Sequence, residues 1–137
     1  MRMADRFFDS NIILYLLDDG PKRDRAVQVL QSGGTVSVQV LNEVLVNCRR
    51  KAGMSWDETG MFLESIRAIC RVVPLTPDTH DIGRAIAERY TLQVYDAMIV
   101  SAALLAGSTE LISEDMHDGL LIENVLRITN PFRAVGA

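Results

Sequence analysis

The chain has 137 residues, 48% of them apolar and 23% charged, which suits one ordinary domain spanning 1–137 and excludes a disordered polypeptide. Fourteen Lys and Arg against eighteen Asp and Glu leave a net charge of −4. That balance argues against electrostatic wrapping of nucleic acid but not against a nuclease, because bound metal ions reverse the local charge of an acidic site.

Arg6 to Asp9 reads as a short first strand, and Ser10-Asn11 can cap a helix over Ile12 to Leu17. Pro21 suits the first turn of a second helix running through Val27 and Leu30. After the turn at Ser32-Gly33-Gly34, Thr35 to Ser37 is a strand. Val38 to Lys51 is a helix whose stripe is Leu41, Val44, Leu45 and Cys48. Ser55-x-x-Glu58 is a capping box opening a helix with Phe62, Leu63, Ile66 and Ile69 on its apolar face. Arg71 to Pro74 is a strand, and Thr76-Pro77 starts a helix with Ile82, Ala85 and Ile86 inward. Asp96 to Ala106 is apolar nearly all round and therefore a buried helix. Leu111 to Ser113 and Leu126 to Thr129 are the last two strands.

This alternation predicts an α/β fold: a mostly parallel central sheet of about five short strands, flanked by helices. Ligands of such folds bind beyond the carboxyl ends of the strands. Cys48 and Cys70 have no Cys-x-x-Cys spacing and read as buried free thiols. No signal-peptide pattern is present, and the run Ala97 to Ala106 is about half a membrane span. The expectation is a cytoplasmic protein with no membrane partner.

Four acids stand where apolar elements end or begin. Asp9 follows Phe7-Phe8 at the end of the first strand, where a helix N-cap is the competing role. Glu43 lies on the border of its helix stripe, in line with Val40 and Asn47, and a solvated glutamate is the alternative. Asp96 opens the buried helix, where capping and metal binding can coexist. Asp115 follows a strand end and is preferred to its neighbours Glu114 and Asp118 because it can turn back over the sheet edge. An apolar setting disfavours an ionised carboxylate, whereas several carboxylates gathered at one sheet edge make a site for a hard divalent cation. Such a site can hydrolyse phosphodiesters.

These segments resemble those of a known family. Phe7-Phe8-Asp9-Ser10-Asn11-Ile12-Ile13-Leu14 is similar to the opening motif of PIN-domain ribonucleases, and Leu41-Asn42-Glu43-Val44 to their second. Tyr95-Asp96-Ala97-Met98-Ile99-Val100-Ser101-Ala102-Ala103-Leu104 resembles the third. Leu111-Ile112-Ser113-Glu114-Asp115-Met116 resembles the fourth, in a Ser-Glu-Asp variant. The size and the trailing Ile128-Thr129-Asn130-Pro131-Phe132 look most like VapC-type toxins of bacterial toxin–antitoxin pairs. The resemblance implies an endoribonuclease dependent on Mg²⁺ or Mn²⁺, with an RNA substrate, a cognate antitoxin and a homodimeric state. It implies Asp9, Glu43, Asp96 and Asp115 as metal ligands, with Asn11 and Ser113 as supporting polar residues. The family's common Asp-x-x-Asp-Phe form is absent, and Asp118-Gly119 stands near its place, so Asp118 is a further candidate.

Other features are weaker. His80 reads as exposed and His117 as a solvated loop residue. Arg49-Arg50-Lys51 ends a helix, where cations meet the dipole, and can also grip RNA phosphates. Met54, Trp56, Met61 and Phe62 form either ordinary core or an apolar surface for a second copy or an antitoxin. Two alternatives share the fold: an RNA-processing PIN nuclease without a toxin role, and a catalytically silent PIN-like binding module. Four intact acids argue against the second. A phosphoacceptor receiver domain needs a lysine after a late strand, and none lies beyond Lys51.

Overall fold

A computed structural model describes residues 5–133 of the chain; the ends of the expected 1–137 domain lie outside the described residues. The elements are β1 (Arg6–Phe8), α1 (Ser10–Leu14), α2 (Pro21–Leu30), β2 (Gly34–Ser37), α3 (Val38–Arg50) and α4 (Trp56–Ile69). They continue with β3 (Cys70–Val73), α5 (Pro77–Tyr90), α6 (Val94–Leu105), β4 (Glu110–Ile112), β5 (Leu121–Ile122) and β6 (Leu126–Thr129). One six-stranded sheet has the order β3-β2-β1-β4-β6-β5, parallel except for the β5–β6 pair. Phe7 and Phe8 point to opposite faces of β1 and both are fully buried, so the sheet is covered on both sides.

The order runs outward in both directions from β1 and β4. Their seam is the point where the chain's winding reverses, and open α/β sheets hold ligands at such a switch point. The register Phe7↔Leu111 and Phe8↔Ile112 brings the carboxyl ends of β1 and β4 level. Gly34 lets β2 close against them: a Cβ there would lie 2.4 Å from the Phe8 ring and 2.9 Å from the Arg6 carbonyl oxygen.

Several local expectations need correction. Asp9, not Ser10 or Asn11, caps α1, because its Oδ1 accepts the Ser10 backbone N–H at 2.7 Å. The expected helix through Leu17 tightens into a 3₁₀ turn over Tyr15–Leu17. In α3 the fully buried line is Val40, Val44 and Cys48, with Leu41 half-buried and packed against the core. The helix meets β2 on one side and α1 and α4 on others, so its inward face is wider than one stripe. In α5, Ala85 is exposed while Thr79 and Gly83 are buried, because α6 packs directly on Gly83. Ile69 of α4 is also exposed.

β5 was not expected. It is two residues long and joins β6 through Glu123 and Asn124, both at positive φ (52° and 58°). That is the sign pattern of a type I′ turn, here without the glycine that advertises one. Both cysteines are free and buried. Among the described residues no helix is long and apolar enough to cross a membrane.

Candidate active site

Asp9 sits at the end of β1, only 4% exposed. Its Oδ2 accepts the Ser113 hydroxyl at 2.7 Å from just beyond β4, and its Oδ1 caps α1. Burial above all, with the charges of Asp96 and Glu43, pushes its carboxyl up to about 6, although the bonds from Ser113 and the Ser10 backbone pull the other way.

Glu43 is on α3, which leaves the end of β2 after Ser37 has capped it through a 3.2 Å bond to the Val40 N–H. Ser10 donates to Glu43 Oε1 at 2.8 Å, and Gln39, one turn earlier, donates to Oε2 at 3.1 Å. Gln39 also donates to the Tyr95 carbonyl at 3.0 Å, which ties α3 to the start of α6. Asp96 is the third residue of α6. Gln93 holds the N-cap position and its side chain makes no capping bond, so the capping role considered for Asp96 is not realised. Burial chiefly, then the charges of Glu43 and Asp115, raise its carboxyl above the usual range.

Asp115 is exposed and accepts the Asn11 amide at 3.0 Å; the same amide lies 3.5 Å from Asp9 Oδ2. Asn11 thus bridges the acids that follow β1 and β4. The structure therefore brings Asp9, Glu43, Asp96 and Asp115 to one edge of the sheet, with Asn11 and Ser113 between them.

Asp118 does something else. It accepts the Asn130 backbone N–H at 2.7 Å and lies 3.7 Å from Arg133, fastening the segment after β6. Glu114 is likewise occupied: Lys22 meets it at 2.7 Å and Tyr15 donates to it. Burial opposes ionisation of Glu114, but Lys22 and Tyr15 hold it below the ordinary range. Lys22 also lies over the rings of Tyr15 (4.9 Å) and Phe132 (5.6 Å), which pack edge-to-face on each other at 5.2 Å. This clasp fixes the loop that carries Asp115.

The donor set is all oxygen, which suits a hard cation rather than a soft metal. Among the described residues no three acidic, histidine or cysteine side chains converge tightly enough to enclose an ion alone. An ion at this edge would need waters to complete its shell, as Mg²⁺, which keeps several, commonly does. Burial first, and the neighbouring acid charges after it, raise the Asp9 and Asp96 carboxyls, and a cation would offset both effects.

The chain as a whole has counterparts among known proteins. A family model described as PIN domain matches residues 6–117, from β1 through the loop after β4. The chain belongs to the PIN domain family.

Solved structures share this PIN fold at low identity. A toxin–antitoxin complex from Klebsiella pneumoniae superimposes with a TM-score of 0.72 at 21% identity, covering 92% of this chain and 97% of that one. VapBC2 from Rickettsia felis, bound to a fragment of its promoter DNA, gives 0.66 at 14% identity over 91% and 98%. The sarcin–ricin-loop-cleaving toxin VapC20 from Mycobacterium tuberculosis gives 0.63 at 18% over 77% and 86%. No curated protein matches the chain.

The PIN domain also shows residues that the sequence reading passed over. Ser10 and Gln39 hold Glu43 in place, and their positions beside Asp9 and one helical turn before Glu43 were the available signals. Next to Glu43 opens a groove of about 550 Å³ whose lining includes Gln39, Asn42, Asn47, Leu75 and Tyr95. His80 and His117 are exposed. Trp56 and Met61 are exposed at 66% and 74%, while Met54 and Phe62 pack against the core, so the expected patch is half surface and half core. Arg49 stacks over Trp56 at 4.3 Å and donates to the Met54 carbonyl, which commits it to the helix end.

Proposed function

We propose that this PIN domain is an endoribonuclease dependent on Mg²⁺ or Mn²⁺ and acts as the toxin of a toxin–antitoxin pair. The observation that carries the reading is the convergence of Asp9, Glu43, Asp96 and Asp115 at the β1–β4 switch point. When bound, the cation supplies Lewis-acid polarisation of the phosphate and activation of water. Asp9, Glu43, Asp96 and Asp115 would hold it, one or two of them directly and the others through the waters it keeps. Ser113, Ser10, Asn11 and Gln39 orient those carboxylates before the cation arrives. The Asp9 carboxyl, which burial raises to about 6, would be favoured in its ionised form by a cation held there. No serine, cysteine or histidine nucleophile is required.

The toxin role draws support from the Klebsiella and Rickettsia complexes, and RNA as substrate from the sarcin–ricin-loop-cleaving toxin. A cognate antitoxin would cover the acidic edge, most simply with arginine, whose planar guanidinium pairs with carboxylates. The exposed Trp56 and Met61 on α4 offer that partner, or the second copy of a homodimer, an apolar anchor. Such a toxin works in the cytoplasm, where its RNA is.

The test is incubation of purified protein with total RNA in Mg²⁺, in Mn²⁺ and in EDTA, followed by sequencing of the new RNA ends. Cleavage is expected only with metal and is expected to vanish in Asp96→Asn. Undiminished cutting in EDTA or in the variant rejects the assignment.

A further inference from the structure

The groove beside Glu43 is not needed to hold a cation, yet it shares that residue with the acidic edge. Its chemistry is specific. No lysine or arginine lines it, so it is not a seat for phosphate. Tyr95 stands 71% exposed on its wall, an unusual position for an aromatic ring one residue before a buried-helix acid. Its backbone is fixed by Gln39, which bonds both the Tyr95 carbonyl and Glu43. Leu75, 44% exposed, and Val46, 45% exposed, add apolar surface.

The remaining lining is amide. The Asn42 side chain has no hydrogen-bond partner among the described residues, and Gln39 and Asn47 spend their amino groups on Glu43 and Tyr95. Their carbonyl oxygens are left as acceptors. An exposed ring, apolar flanks, one free amide and two amide acceptors are the equipment that recognises an unstacked nucleobase, by stacking on its face and bonding to its edge.

We propose that this groove is a base-binding subsite for single-stranded RNA: Tyr95 stacks the base next to the scissile phosphate, and Asn42, Asn47 and Gln39 read its edge. The inference rests on the ribonuclease reading for its substrate but not for its test. Tyr95 positions the substrate, and the acids at the sheet edge act on the neighbouring phosphate. A base held here fixes which bond reaches the acids, so the groove sets cleavage preference as well as affinity.

The experiment uses the full chain carrying Asp96→Asn, so that bound RNA stays intact. Short single-stranded RNAs with 2-aminopurine at successive positions are titrated against it. One position is expected to lose fluorescence by stacking. Adding Tyr95→Ala should restore that fluorescence and weaken binding by at least about fivefold, the lower end for losing one base–aromatic stack. Tyr95→Phe should keep both. Equal binding and equal quenching in Tyr95→Ala overturns the subsite. So does an absence of RNA binding, and so does a change in light-scattering mass without a change in quenching, which assigns Tyr95 to a contact between copies. Cleavage by the wild-type chain is scored apart. Tyr95-dependent stacking without cutting keeps the subsite and rejects the ribonuclease; cutting without Tyr95 dependence does the reverse.

Discussion

Ser113 and Asp9, 104 positions apart, are joined by a 2.7 Å hydrogen bond across the seam between β1 and β4. The Ser113 hydroxyl also accepts the Met116 backbone N–H at 3.3 Å, so one side chain serves both the acid and the loop beyond the strand. Ser113→Ala is expected to cost about 1–3 kcal/mol, because a buried carboxylate and a buried N–H both lose a partner. The Asp9 carboxyl should rise further, since this bond lowers it. Urea unfolding with a carboxyl NMR titration checks both; an unchanged Asp9 titration contradicts the expectation.

The pH dependence follows from Asp9. Its folded carboxyl titrates near 6 against an ordinary 3.8, so the folded chain holds the proton more tightly than the unfolded chain. Its favourable contribution is complete below about 3.8 and is lost as pH rises through about 6, a change of roughly 3 kcal/mol. Asp96, also raised, acts in the same direction. Glu58, Glu114 and Glu123 are lowered and act oppositely, but below the ordinary glutamate range. In EDTA the protein should therefore be more stable near pH 5 than near pH 7.5, and Asp9→Asn should reduce that slope to the part left by Asp96. A flat wild-type profile, or an undiminished slope in the variant, removes Asp9 as its cause.

Cation binding to the folded state should stabilise it by about 2.7 kcal/mol at a hundredfold excess over the dissociation constant, raising Tm by several degrees. Asp96→Asn removes one of the charges crowding Asp9, so without metal it should melt no lower than wild type. Its response to Mn²⁺ should be smaller. Equal Mn²⁺ shifts in the two proteins mean that Asp96 takes no part in a metal site.

Gly34 and Gly83 make a paired test of packing. A Cβ at Gly34 meets the Phe8 ring and the Arg6 backbone, neither of which can withdraw. At Gly83 it meets the Met98 sulfur at 2.5 Å, the far part of a flexible side chain. Gly34→Ala should lose about 1–3 kcal/mol or more, and Gly83→Ala distinctly less. Denaturant midpoints that rank the two the other way refute this account.

Much of the fold was legible because its signals are local. Pro21 and Pro77 begin helices, Ser55 and Glu58 form a reciprocal cap, and an apolar run at 97–106 becomes the buried α6. The four acids were legible because polar residues at the ends of apolar segments stand out. What stayed hidden depends on neighbours distant in sequence. Val40 is buried because α3 meets several elements at once, and Ala85 is exposed because Gly83 takes the contact with α6. Asp118 stands near the fourth motif as a supporting candidate, yet the Asn130 backbone, 12 residues on, occupies its carboxylate. Tyr95 drew attention only as motif context, since nothing local says that its ring faces an open groove.

The clasp of Lys22, Tyr15 and Phe132 around Glu114 bears on the order in which a nascent chain acquires its chemistry. The loop carrying Asp115 takes anchors from both ends of the chain: Asn11, Tyr15 and Lys22 precede it, while the Ser113 N–H bonds to the Thr129 carbonyl and Phe132 closes the stack on Lys22 and Tyr15. Phe132 is the last of these anchors to be synthesised, so the clasp on Glu114 lacks one of its two rings until that residue is available. Of the acids at the sheet edge, Asp115 is thus the one whose loop is fastened last as the chain is made.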